Sequence, residues 1–299
     1  MPLLTTTDMK RILKWIGIIF ISLVGLLMIA GGVLFLRGQT KMDMAYAVPH
    51  ILDTVAVKSS FQGRGEFLAS AISRCNSCHG PNYEGLVFVD NALIGTIVSA
   101  NLTPGLGGIG DRYSDADWEQ AIRHGVGHNG RALVIMPTQF LTAYSDDDLL
   151  ALISYLQTIP AVDNELPEQS LGPLTLMFIG TGMFKPPATI TDHNATHTTL
   201  MFSEVTAEYG KYLVNIAACG ECHGAALTGS ENPGPPPGPD LTRAGQLGNW
   251  LLSDFINAIR TGITPDNRVL NPKQMPWPGY SRMSDQELEA IWLYLESLP

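Results

Sequence analysis

Cysteine is scarce in this chain of 299 residues. It has four, and all four fall in two Cys-x-x-Cys-His runs, Cys75-Asn76-Ser77-Cys78-His79 and Cys219-Gly220-Glu221-Cys222-His223. No thiol is left for a disulfide or a separate redox switch, so cysteine use by itself says nothing about compartment. Positive charge is scarce too. Four of the 18 basic residues and one of the 28 acidic ones lie at or before residue 37, leaving 14 against 27 beyond it, a net charge of −13. A body this acidic argues against nucleic acid as a partner and is repelled by anionic lipid. It favours a partner with a basic docking patch, through an attraction that weakens as salt rises.

Charge of either sign is absent from Trp15 to Leu36. As a helix these 22 residues span ~33 Å, enough for the hydrocarbon core of a bilayer. The run has no polar face, which argues against a surface helix of a globular core. Lys10, Arg11 and Lys14 precede it and Arg37 and Lys41 follow, a slight bias toward a cytoplasmic N-terminus. A cleaved signal peptide has a shorter apolar core, about 7–15 residues, and Ala30-Gly31-Gly32 lies too deep in the run for a cleavage site. The expectation is an uncleaved anchor over residues 1–40. Gly17, Gly25, Gly31 and Gly32 would let another membrane helix approach it closely.

Past the anchor, one pattern occurs twice. Gly65-Glu66-Phe67-Leu68 leads into Cys75, and Gly210-Lys211-Tyr212-Leu213 leads into Cys219. Asn101-Leu102-Thr103 matches Asp240-Leu241-Thr242, Ala121-Ile122-Arg123 matches Ala258-Ile259-Arg260, and Met136-Pro137 matches Met275-Pro276. Ser145-Asp146 matches Ser284-Asp285, and Tyr155-Leu156 matches Tyr294-Leu295. The offset is 144 at the cysteines and 139 from the methionine onward, as loops of different length would give. The repeat predicts two domains, 60–160 and 205–299.

Each copy reads as mostly helical. A first helix ends at the cysteine motif. A second covers roughly 115–124 or 251–261, with Asp115 and Ser253 as expected caps. A last helix opens at Ser145 or Ser284 with acids in its first turn, where the helix dipole favours them. Leu149, Leu152, Ile153 and Leu156, or Leu288, Ile291, Trp292 and Leu295, give it an apolar face. The linker 161–204 holds an apolar stretch, Leu171 to Phe184, too short to cross a membrane and broken by Pro173 and three glycines. It suits packing between the domains, with a membrane surface or a partner subunit as the alternative. Pro233 to Pro239 reads as a stiff loop beside the second motif.

Cys-x-x-Cys-His has a physical logic. The two thiols add to the vinyl groups of a haem as thioethers, and the adjoining histidine falls beneath the iron as its proximal ligand. A zinc ribbon would put its cysteine pairs about 15–20 residues apart, and here they are 144 apart. A thioredoxin-type pair needs a βαβ context, which is missing. Two haem c groups are therefore expected, on Cys75, Cys78 and His79 and on Cys219, Cys222 and His223.

The chain resembles the class I c-type cytochromes, in a dihaem, membrane-anchored form. A helix with Gly and an aromatic, Cys-x-x-Cys-His-Gly, a later Met-Pro, and a final helix ending in Tyr-Leu all match, twice, over about 60–160 and 205–299. The resemblance implies an all-α fold: two tandem class I cytochrome c domains preceded by one N-terminal transmembrane helix. It implies that Gly65 and Gly210 let the first helix cross the last tightly, near Tyr155 and Tyr294. It puts the distal iron ligands at Met136 and Met275, with Met283, His124 and His128 as competitors that the repeat does not duplicate. Arg123 and Arg260 are candidates for haem propionates, or are solvated helix arginines. Trp277 is expected over the second haem.

Haem attachment in this family implies that both domains lie in the periplasm or outside the cell, on a single-pass anchor in the cytoplasmic membrane. With Met and His on both irons no coordination site is open, which suits an electron relay and not an enzyme. The expected partners are subunits of a membrane redox complex, and a soluble carrier with a basic patch. That complex would be a quinol-oxidising complex, a photosynthetic reaction centre, a terminal oxidase or a periplasmic dehydrogenase. The alternatives are a peroxidase-like dihaem enzyme with one open site, and an assembly subunit with vestigial haems.

Overall fold

The computed structural model describes residues 6–50, 62–197, 204–230 and 237–299. Helix α1, Thr6–Asp43, has 38 residues. It contains the charge-free run and is long and apolar enough to cross a membrane. It extends past Trp15–Leu36 at both ends because the flanking lysines and arginines are themselves good helix formers.

The first repeat starts with α2, Gln62–Phe67, which runs into one π-helical stretch, Leu68–Ile72. Then come α3, Cys75–His79, α4, Asp115–His124, α5, Thr138–Leu141, and α6, Asp146–Leu156. The second repeat follows the same order: α8, Ala207–Ile216, α9, Cys219–His223, α10, Leu252–Thr261, α11, Trp277–Tyr280, and α12, Asp285–Ser297. The connecting segment supplies α7, Pro173–Thr181.

The first helix of each repeat crosses the last at a glycine. A Cβ on Gly65 would strike the Ala151 carbonyl and lie 2.6 Å from Tyr155 Cβ. A Cβ on Gly210 would strike the Ala290 carbonyl, the matching place 139 residues on. Ser145 and Ser284 cap the last helices, each accepting from the backbone N–H three residues ahead at 3.2 Å. The caps of the second helices differ from expectation. Ser114, not Asp115, opens α4, in a reciprocal box with Asp117. Leu251 stands at the cap of α10, and the Asp254 carboxylate accepts its N–H at 2.9 Å. In both, an acid in the first turn reaches back to the cap, and Asp115 accepts from Gln157 Nε2 at 2.7 Å.

One buried apolar cluster runs through both repeats, from Leu68, Leu149 and Leu152 to Leu213 and Leu288. Burying each such side chain contributes roughly 1.5–3 kcal/mol. The halves are also locked by a polar knot. Arg64 grips Asp148 with Nε and Nη2, both at 2.8 Å, and reaches Glu287 with Nη1 at 2.7 Å. Tyr212 donates to Asp148 at 2.6 Å, and Tyr209 to Glu287 at 3.3 Å.

Two features of the linker and first repeat were not foreseen. Strands β1, Val87–Asn91, β2, Gly95–Val98, and β3, Ser170–Leu171, form a small antiparallel meander with Asp90 opposite Thr96 and Gly95 opposite Leu171. Its residues are largely β-branched or aromatic, so local preference and structure agree in a fold that stays mostly helical. The apolar stretch Leu171–Phe184 does not fill the space between the repeats. Its helix α7 lies along the C-terminal part of α1. Most of Pro233–Pro239 lies outside the described residues.

Candidate haem sites

Each motif folds as one helical turn. That puts the two cysteines, three apart, and the histidine, four after the first, on one face. The turns are entered through left-handed residues, Arg74 at φ 48° and Ala218 at φ 55°. They are left through Gly80 at φ 84° and Gly224 at φ 81°, conformations a Cβ would oppose.

Both histidines are held the same way. His79 Nδ1 is 2.8 Å from the Ala100 carbonyl, and His223 Nδ1 is 2.8 Å from the Pro239 carbonyl. A carbonyl only accepts, so Nδ1 carries the proton and Nε2 keeps a free lone pair. Burial lowers the pKa of both rings despite these bonds, which keeps them neutral and able to ligate. The carbonyls are fixed by the repeated Asn/Asp-Leu-Thr, whose role sequence reasoning did not assign. Asn101 Oδ1 accepts from Thr103 N at 3.0 Å and Thr103 Oγ1 at 2.8 Å, and Asp240 Oδ1 accepts from Thr242 N at 2.7 Å. These are turns in which a short side chain ties its own backbone. Their duplication beside a histidine motif was the available signal.

A cavity of about 700 Å³ opens before the second motif, with Cys219, Cys222 and His223 in its wall together with Met275 and Tyr280. Its size suits a prosthetic group. A Cβ on Gly238 would stand 2.6 Å from His223 Nδ1, so only glycine leaves the ring in place there. The chemistry fits covalent haem: two thiols, an imidazole with its lone pair free, and a thioether in one apolar chamber. Arg74, Ser77 and Cys78 of the first repeat line the same chamber.

A profile of the cytochrome c family matches residues 64–160 and 207–299. The chain belongs to the cytochrome c family. It is 30% identical over 264 residues to the fructose dehydrogenase cytochrome subunit of Gluconobacter japonicus, covering 79% of this chain and 52% of that one. It is 36% identical over 269 residues to the gluconate 2-dehydrogenase cytochrome c subunit of Pantoea cypripedii, covering 79% and 59%. To the cytochrome c subunit of the quinone alcohol dehydrogenase of Gluconobacter oxydans it is 29% identical over 270 residues, covering 79% and 54%. The chain thus spans about half the length of these curated relatives. As a cytochrome c with two family domains it carries two covalently bound haem c groups, at Cys75–Cys78 and Cys219–Cys222.

Within this cytochrome c, Met136 and Met275 occupy equivalent places. Each is half-buried, and its carbonyl accepts the N–H of the residue after proline, Thr138 at 2.8 Å or Trp277 at 2.7 Å. Met283 also borders the second cavity, buried in the core. Its counterpart Tyr144 is buried too, with its hydroxyl 2.5 Å from Ser73 Oγ. The histidine competitors are engaged elsewhere. His124 Nδ1 meets His193 Nδ1 at 3.1 Å, and the exposed His128 pairs with Asp117 at 2.8 Å.

Both arginines have partners within the protein. Arg123 is fully buried and pairs with Asp146 at 2.6 Å and Glu119 at 3.2 Å. Arg260 pairs with Asp285 at 2.7 Å. Asp146 and Asp285 are the same position in the two repeats. Each arginine thus ties the second helix to the start of the last. Trp277 lies beside the turn that ends α10. Its indole packs on Gly262 and donates to the Leu270 carbonyl at 3.3 Å, outside the wall of the cavity.

Proposed function

We propose that this chain is a membrane-anchored dihaem electron-transfer subunit, with residues 1–40 as anchor, 60–160 and 205–299 as haem domains and 161–204 between them. His79 and His223 are the proximal ligands, and Met136 and Met275 the distal ones. Bound haem supplies a reversible one-electron couple. The protein binds each group through two cysteines, aims one imidazole at it through a carbonyl, and keeps water out with the apolar cluster. The carrying observation is that Cys78, the second thiol of the first motif, stands in the wall of the second motif's cavity. The two sites share one wall, so transfer between them needs no outside carrier.

The relatives are cytochrome subunits of dehydrogenases, which favours a dehydrogenase as the donor complex here. The acidic body suits a basic docking patch on that partner or on a soluble carrier. The charge bias around the anchor supports a cytoplasmic N-terminus in the cytoplasmic membrane, with the haem domains in the periplasm or outside the cell. Met136 and Met275, as thioether ligands, would raise the potential relative to two histidines and leave small ligands no place on the iron.

The test is carbon monoxide added to the reduced protein at neutral pH. Neither haem should bind it readily. Binding at either haem would reject its methionine ligand and favour the peroxidase-like reading. Met136→Ala and Met275→Ala should each lower one potential, and an unchanged potential would move that ligand elsewhere.

A further inference from the structure

The acidic body contains a stretch with no acid. From Leu171 to Pro186 the single charged residue is Lys185. Helix α7 occupies its centre and touches α1 backbone to backbone. A Cβ on Gly38 would strike the Leu176 carbonyl, and a Cβ on Gly180 would strike the Leu34 carbonyl. A Cβ on Gly31 would lie 3.6 Å from Met177 Cε. Lys41 Nζ donates to the Ile179 carbonyl at 2.9 Å in the last turn of α7, beside the capping N–H of Gly182 at 3.1 Å. Small residues at a close crossing are how helices associate in lipid, where no hydrophobic force drives them together.

The depth of this contact matters. Gly31 and Leu34 belong to the charge-free run that ends at Leu36. Gly31 stands ~8 Å inside that end along the helix. A helix touching those residues shares their depth. Yet the face of α7 turned away from α1 is apolar and open. Leu174 is 37% exposed, Phe178 41% and Met183, just past its end, 78%. Leu93, whose carbonyl accepts the Leu174 N–H at 3.0 Å, is 61% exposed. A helix apolar on every side is one that water does not meet.

We propose that α7 is a second membrane element. It lies in the bilayer interface against α1, with Leu174, Phe178 and Met183 on the acyl chains. Its other end continues into β3, and Gly172 N donates to the Ile94 carbonyl at 2.8 Å. On the far side Tyr46 N donates to the Gly130 carbonyl at 2.8 Å, and Arg131 pairs with Asp43 at 3.3 Å. The first haem domain is therefore held to the bilayer at two places and keeps a fixed tilt, where one tether would let it swing. This rests on the reading of α1 as an anchor.

The experiment uses the full-length holoprotein in phosphatidylcholine–phosphatidylethanolamine vesicles. All four native thiols are taken by haem, so an introduced cysteine is the only one to label. Nitroxides at Phe178→Cys and Met183→Cys are compared with Leu26→Cys in the anchor and Leu251→Cys on the second repeat, which is 67% exposed. Relaxation by oxygen, which partitions into lipid, is set against relaxation by a water-soluble nickel chelate. The labels at 178 and 183 should match 26, with chelate relaxation lost and oxygen relaxation kept. If 26 reads as lipid while 178 and 183 match the water-facing 251, the proposal is overturned. Shielding from both agents would mean that a second copy of the chain covers the face, and overturns it too. If 26 itself reads as water, the anchor reading has failed and this proposal falls with it.

Discussion

Behind His79, Ser99 Oγ donates to the Cys78 carbonyl at 2.6 Å; behind His223, the Gly238 N–H donates to the Cys222 carbonyl at 2.7 Å. The two repeats thus reach one arrangement of cysteines, imidazole and carbonyl with different side chains. Their surroundings differ more. The first repeat carries the small sheet, α7 and the junction with α1. Among the described residues the second carries none of these, and part of its haem cavity is walled by Ile72, Ser73 and Arg74 of the first. The comparison teaches that the second site depends on the first repeat, while α7, which the first repeat carries, packs on α1.

The largest expected effect tests that dependence. Gly210→Val would drive a side chain into the Ala290 carbonyl and part α8 from α12, a cost of about 3 kcal/mol from overpacking. It should deplete the second haem and leave the first near full occupancy. Gly65→Val makes the equivalent clash with Ala151 and should lower both. Haem per chain and the two redox titration steps read the result. Equal loss of one haem from each variant would show two independent repeats.

Next in size is the polar knot between the halves. Arg64→Met leaves Asp148 and Glu287 without their shared cation, both nearly buried, with the tyrosine hydroxyls still donating. Breaking such a pair costs roughly 3 kcal/mol. Tyr209→Phe removes one long bond and should cost about 1 kcal/mol or less. Thermal unfolding of both variants checks the order, and equal midpoints would contradict it.

Much of this was legible because it is local. The haem motifs and the caps at Ser145 and Ser284 are read from neighbours in sequence and from their duplication, and the glycine crossings follow from the resemblance to class I cytochromes. What was not legible depends on distant partners. Nothing near Arg123 says that its charge belongs to Asp146, 23 residues on, and nothing near Leu176 says that it meets Gly38. The sheet was missed because β3 has two residues and pairs with a strand more than 70 residues earlier. The second haem cavity was only half visible, since its other wall comes from the first repeat.

The smallest difference between the repeats emerges in acid. His124 of the first repeat has Thr261 as its counterpart in the second. His193 Nε2 donates to the Ala188 carbonyl at 3.0 Å, so its Nδ1 accepts from His124 Nδ1. His124 Nε2 is then buried with no partner among the described residues, and a proton added there would find no acceptor among them. Burial pushes His124 down to about 4, and the nearby His193, Arg123, His197 and His50 push the same way. The folded value is thus below the unfolded one near 6.5, and the unfolded chain binds more protons between them. Stability contributed here is full above pH 6.5 and falls as pH drops toward 4, on the order of 1 kcal/mol by pH 5, or ~2–4 °C in Tm. His124→Thr should flatten this slope, and a variant that keeps it in full would show that other groups carry the acid sensitivity. Because His124 and Ala188 pack near Tyr46 where α1 joins the body, loosening should begin at that junction and leave the second repeat's haem spectrum unchanged.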